Sequence, residues 1–181
     1  MTDNELIEKI VKGNNTHLFA VLYDRYSSVV YSKCLSFVKS KEIAEDLTHD
    51  LFVELFVKIK TYKGEAKFST WLYSFTYNFC VNYIQRDKYK KNEKISDDLE
   101  ASFADIEEID DALIFEIKAT KLKLILDKID PEYKMILLMK YQDDMTIKEL
   151  SILLGVSKSA VKMRLNRAKK KALEISNFLD L

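Results

Sequence analysis

The sequence predicts an all-α protein built as two small helical domains joined by an acidic linker. Chain breakers are few, 3 Gly and 1 Pro in 181 residues, which argues against a many-stranded fold. Hydrophobic residues make up 48% of the chain, enough for packed cores, and they recur at helical spacing. Charge is balanced in total, Lys+Arg 29 against Asp+Glu 29, yet it is segregated along the chain. The stretch SKSAVKMRLNRAKKKA, from Ser157 to Ala172, has cations and no acid, whereas Ser96 to Glu116 has acids and no Lys or Arg.

The elements follow in order. Leu6, Ile7, Ile10 and Val11 form one face of a short amphipathic helix that stops near Gly13. A second helix spans Thr16 to Val38. In KEIAEDLTHDLFVELFVKIK, Ile43, Leu47, Leu51, Leu55 and Ile59 recur every four residues as one stripe of a third helix. Gly64 marks the loop TYKGEAKF, and Ser69 is the expected N-cap of a fourth helix starting at Thr70. The first domain covers residues 1–94 and the acidic linker residues 95–115, where Ile106, Ile109, Leu113 and Ile117 already show helical spacing.

The second domain covers residues 116–181. Leu122, Ile125, Leu126 and Ile129 end one helix, and Asp130-Pro131 opens the next, because a first-turn proline forfeits no helical hydrogen bond. Thr146 and Glu149 have the spacing of a capping box. Gly155 supplies a left-handed stop and Ser157 caps the following helix. Two capped helices around a short glycine turn make a helix-turn-helix pattern.

On a helical wheel, Val161, Leu165, Ala168 and Ala172 share the inward face of that last helix. Ser159, Met163, Asn166, Arg167 and Lys170 point away from the core, flanked by Lys158, Lys162, Arg164 and Lys171. Hydrogen-bonding groups on the crown and cations on the sides suit a helix in a DNA major groove, with base edges ahead and phosphates on either side. A lysine-rich run alone reads as a solvated helix; the capped turn before it favours the groove.

STWLYSFTYNFCVNYIQR is apolar and aromatic nearly all round, except for the line Ser74, Asn78, Asn82 and Gln85. Trp71 and Phe75 border this line, and Arg86, Lys88, Lys90 and Lys91 follow it. Amides beside aromatics and cations can bind and stack on unpaired bases. The same amides can equally satisfy buried groups or face water, and the residues alone leave both readings open.

Together these segments resemble the extracytoplasmic-function sigma factors, the small group of bacterial transcription initiation factors, over nearly the whole chain and in family order. AEDLTHDLF resembles the region that docks on the RNA polymerase clamp, which implies Asp46, Leu47, His49 and Asp50 as contacts. YKGEAKFSTWLYSFTYNFCVNYIQR resembles the segment that melts and reads the minus-ten element, which implies Lys63, Gly64, Trp71, Asn78, Asn82 and the following Arg86. LILDKIDPEYKMILLMKYQDDMTIKELSILLGVSKSAVKMRLNRA resembles the domain that reads the minus-thirty-five element. The resemblance implies Ser159, Lys162, Met163, Asn166 and Arg167 there, beside the flanking cations Lys158, Arg164 and Lys170. His49 stands where the family usually has Gln, and Ala160 where Thr is common. The implied partners are bacterial core RNA polymerase and promoter DNA, and many family members are held inactive by an anti-sigma factor.

Other classes lack support. Cys34 and Cys80, far apart and without CxxC spacing, read as reduced core thiols of a cytosolic protein. His17 and His49 share no metal-like spacing, so neither a metal nor a cofactor is expected. No Gly-rich phosphate loop or nucleophile–base pair points to an enzyme. No leader pattern and no apolar run near the roughly 20 residues of a membrane span occurs, so the expectation is cytoplasmic. The alternative is a stand-alone helix-turn-helix regulator, which would need neither the clamp motif nor the aromatic helix.

Overall fold

The computed structural model describes residues 1–13, 15–90, 109–117 and 119–179. Every regular element among them is helical. They form two compact units, Met1–Ile84 and Gln85–Leu181, each with its own core. Most of the expected acidic linker, residues 95–108, lies outside the described residues, and with it Asp97, Asp98, Glu100, Asp105, Glu107 and Glu108. Lys91, at the end of the cationic run after the aromatic helix, lies outside them too.

The first unit holds α1 (Asp3–Gly13), α2 (Thr16–Val38), α3 (Lys41–Lys58), a 3-10 turn (Ile59–Thr61) and most of α4 (Phe68–Lys90). Lys39 takes a left-handed conformation, φ 61°, and its N–H closes on the Leu35 carbonyl. Ser40 then caps α3 by accepting from the Ile43 N–H, so the chain reverses and α3 packs back on α2. Leu22, Val30 and Cys34 of α2 meet a core that includes Leu47, Leu51 and Leu55 of α3 and Leu72, Tyr77 and Cys80 of α4. The four-residue stripe of α3 is buried except at Ile43, which is 36% exposed. A spacing of four overshoots the 3.6-residue turn, so the stripe drifts, and fully buried Ala44 takes the inward place at the first turn.

The fourth helix starts earlier than the Ser69 cap suggested. It begins at Phe68, and the Trp71 N–H bonds the Lys67 carbonyl. Phe68 is 2% exposed and packs edge-on against Tyr26 and Tyr62, so aromatic burial, rather than a hydroxyl cap, sets the start. Two further contacts tie α4 to α2. The buried ammonium of Lys33 donates to the Tyr77 hydroxyl at 2.7 Å and lies over the Tyr73 ring, which offsets the loss of its hydration. Cys34 and Cys80 are both free thiols, fully buried and 3.7 Å apart at sulfur.

The second unit holds α5 (Asp111–Phe115), α6 (Ala119–Lys128), α7 (Pro131–Leu137), a π-helical turn (Leu138–Gln142), α8 (Ile147–Leu154) and α9 (Lys158–Phe178). Pro131 stands at the first turn of α7 behind Asp130. The Thr146–Glu149 capping box is formed in both directions, and Ser157 accepts from the Ala160 N–H. Between α8 and α9, Gly155 sits at φ +64°. Val161, Leu165, Ala168 and Ala172 are all buried, and α9 packs on α6, α7 and α8.

Beyond its two chain neighbours, no side-chain or backbone atom lies within 4 Å of a Cβ placed on Gly155. Gly155→Ala is therefore expected to cost only the left-handed conformational penalty, about 1 kcal/mol, as measured by denaturant unfolding.

Candidate functional site

The outward side of α9 is held by its buried stripe. With Val161, Leu165, Ala168 and Ala172 fixed inward, Lys158, Ser159, Lys162, Arg164, Lys170 and Lys171 emerge exposed, while Met163 and Arg167 are half-buried. Lysine ammonium groups and five-donor arginine side chains of one sign on one helix create a field that attracts a polyanion. Lys171 also reaches Glu174 at 3.5 Å, an exposed pair that contributes little to stability.

Asn166 does not stand on this exposed face as the wheel implied. It is 7% exposed, because its Oδ1 accepts the Ile109 N–H at 2.8 Å. One turn further on, Lys169 is also 7% exposed, and its ammonium donates to the Ile109 carbonyl. The same ammonium pairs with Asp111 at 2.9 Å, and the Tyr141 hydroxyl donates to that carboxylate at 2.7 Å. The Tyr141 hydrogen bond, followed by Lys169, holds the Asp111 carboxyl below the usual carboxylate range, so it is ionised at neutral pH. A helical wheel sees only one helix. It has no means of showing that a segment nearly sixty residues earlier covers one edge of it.

In the first unit, Lys63 and exposed Gly64 lie in the loop after the 3-10 turn, with Gly64 at φ +73°. Tyr62 shapes this loop: its hydroxyl donates to the Ala66 carbonyl at 2.6 Å, and its ring meets Phe68 and Trp71. Trp71 stacks on Phe75 at 5.7 Å and 14°, with the Lys58 ammonium 5.7 Å from the Phe75 ring. An open surface pocket of about 250 Å³ is lined by Lys60, Tyr62, Lys63 and Gly64 on one side and by Asn4, Ile7, Glu8, Val11 and Lys12 of α1 on the other. The contribution of α1 was not read from the sequence; its polar residues carry no signal beyond an amphipathic helix.

The amide line of α4 divides. Ser74 is 3% exposed and belongs to the core, Asn78 is half-buried, and Asn82 and Arg86 are exposed. Ser74 shares its turn with fully buried Tyr77, which draws this side of the helix inward.

On α3, Asp46, His49 and Asp50 are exposed, and His49 stacks on Tyr23 at 6.3 Å. Leu47 is 4% exposed, so it faces the core rather than a partner. Its four-residue spacing to Leu51 and Leu55 places it on the side packed against α2. The exposed acids are continued by an apolar end of the same helix, where Val53 and Val57 are 69% and 61% exposed.

Comparison with known proteins agrees with these two units. The sequence matches the family model for Sigma-70 region 2 over residues 22–89 and that for Sigma-70 region 4 over residues 119–171. It is 30% identical over 156 residues to the ECF RNA polymerase sigma factor SigM of Bacillus subtilis, covering 86% of this chain and 93% of that protein. It is 26% identical over 170 residues to SigW of the same organism, covering 89% and 90%. Among solved structures, CnrH in complex with the cytosolic domain of CnrY matches with a TM-score of 0.61 at 22% identity, over 98% of this chain and 97% of that one. The sigma factor RpoE in complex with the anti-sigma factor NepR from Bartonella quintana matches with a TM-score of 0.58 at 14% identity, over 87% and 95%. These two likenesses share the helical fold.

Leu47→Ala should remove core packing and destabilise the first unit by about 2–5 kcal/mol in thermal or denaturant unfolding. Asp46→Ala, at an exposed position, should leave the transition within about 0.5 kcal/mol of wild type.

Proposed function

Because this chain belongs to the extracytoplasmic-function sigma factors of RNA polymerase, we propose that its two units divide promoter recognition as the family regions do. A sigma factor binds core polymerase and directs it to promoters. In this reading α9 enters the major groove of the minus-thirty-five element. Ser159, Met163 and Arg167 meet base edges, with Asn166 beside them under the Ile109 backbone, and Lys158, Lys162, Arg164 and Lys170 meet phosphates. The observation that carries it is the exposed cationic face of a helix whose capped turn and buried stripe fix its rotation.

The first unit takes the minus-ten element. Lys63 and Gly64 border the small pocket, which suits a base turned out of the stack. Trp71, Asn78, Asn82 and Arg86 continue toward the separated strand, with aromatic faces for stacking and amides for hydrogen bonds. Asp46, His49 and Asp50 form an acidic surface for the polymerase clamp, and buried Leu47 holds that helix in place. The chain supplies recognition rather than catalysis and acts in the cytoplasm, where transcription takes place. No helix among the described residues is long and apolar enough to cross a membrane. RpoE from Bartonella quintana is in complex with an anti-sigma factor, and we extend that class of partner to this chain. A stand-alone regulator would leave the match over residues 22–89 unexplained.

Reconstituted transcription with bacterial core polymerase, followed by start-site mapping, tests the whole reading. Defined start sites that depend on this chain are expected; transcription unchanged by its addition would overturn it. Arg167→Ala should weaken promoter binding by about 1–3 kcal/mol and relax one base position, whereas Lys158→Ala should weaken all sequences alike. Asp46→Lys with Asp50→Lys should abolish capture of core polymerase while the protein remains folded by circular dichroism.

A further inference from the structure

We propose that residues 109–111 form a strap that closes the edge of α9 and must lift before Asn166 and Lys169 can reach DNA. This rests on the reading of α9 as the DNA-facing helix and adds a regulatory contact to it. The two side chains lie three residues apart, hence on neighbouring turns of one face. Between them they hold both backbone polar groups of Ile109: Asn166 accepts its N–H, and Lys169 donates to its carbonyl. Asp111 adds a carboxylate to the Lys169 ammonium, and the Tyr141 hydroxyl anchors that carboxylate from the other side. Phe115 of α5 rests edge-on against the Tyr141 ring at 5.7 Å, which extends the anchor by one turn. Asp110 caps α5 through the Ala112 N–H at 3.0 Å, so the strap leads directly into a helix start.

The chemistry of the strap resembles what DNA would offer the same two groups. A base edge would engage the Asn166 amide, and here a peptide N–H engages its oxygen. A phosphate would engage the Lys169 ammonium, and here a carbonyl and a carboxylate do so. An asparagine reads adenine through its oxygen and its nitrogen together. While the oxygen is held by Ile109, that two-point contact is closed. The apparent affinity for DNA is then the intrinsic affinity reduced by the fraction of molecules with the strap open. Ser159, Lys162 and Arg164 stay exposed throughout, so the closed chain keeps part of its phosphate attraction.

The test uses the full chain and a pool of duplex DNA with a randomised central segment, from which each protein selects its preferred sequences. Asp111→Ala and Tyr141→Phe each remove an anchor of the strap without touching the groups assigned to DNA. Loss of one hydrogen bond to the strap should raise duplex affinity by about three- to tenfold in each variant. Tyr141→Phe changes no charge, so agreement between the two variants separates strap release from a general electrostatic gain. In the wild-type chain, the Ile109 amide should exchange slowly with deuterium when free and faster when the selected duplex is bound. Wild-type affinity in both folded variants would overturn the strap. So would an Ile109 amide equally protected with and without duplex, because Asn166 would then be a permanent part of the fold. If no protein selects any sequence and Arg167→Ala changes nothing, the DNA-facing reading of α9 falls, and the strap falls with it.

Discussion

The rotation of α9 about its own axis is the constraint on which the second unit depends. The helix is strongly polar, and Val161, Leu165, Ala168 and Ala172 are its buried apolar side chains. Two of these are alanines, which bury little area but let α6, α7 and α8 approach closely. A narrow stripe leaves little freedom: turning the helix by one residue, about 100°, would bury cations and expose Val161 and Leu165. Burying an unpaired ammonium costs far more than the stripe contributes, so one rotation prevails. The Gly155 turn and the Ser157 cap fix where the helix begins, and the stripe fixes which way it faces.

In the first unit the comparable organising feature is a chain of aromatic contacts. Tyr26, Phe68, Tyr62, Trp71 and Phe75 touch in sequence, from the buried face of α2 to the loop and out along α4. Aromatic rings supply large buried area with few rotatable bonds, so they position a loop without much ordering cost. The Tyr62 hydroxyl, bonded to the Ala66 carbonyl, closes the loop on itself. Gly64 then supplies the left-handed residue at the rim of the pocket. A recognition loop anchored in this way presents its backbone and Lys63 in a defined position rather than as a loose tether.

Polar groups are buried in both units, and each burial is compensated. Lys33 has the Tyr77 hydroxyl and two aromatic faces. Lys169 has the Ile109 carbonyl and Asp111. Among the described residues, no buried side-chain nitrogen or oxygen is left without a hydrogen bond. The two lysines differ in what compensates them. Lys33 is held by α4, inside the core of its unit. Lys169 is held by a short segment at the edge of its unit, through the Ile109 carbonyl and the Asp111 carboxylate. The first arrangement stabilises a fold, and the second is open to competition from another anion.

Local chemistry was legible in the sequence. The span of α2, the capping box at Thr146, the proline start at Pro131, the Gly155 stop and the inward stripe of α9 all rest on interactions within a few residues, and each is present. The exposed cations of α9 followed from the same periodicity, whereas Asp46 and Asp50 of α3 were singled out by the family resemblance alone. Long-range packing decided the rest. Helix α4 starts at Phe68 because the Tyr26 and Tyr62 rings receive it, although Ser69 has the better capping chemistry. Ser74 turned inward because fully buried Tyr77 draws that side of α4 into the core. Asn166, outward on any wheel, is covered because Ile109 lies against it. A backbone N–H buried against a helix needs an acceptor wherever the chain offers one, and only the folded chain brings residue 109 to residue 166.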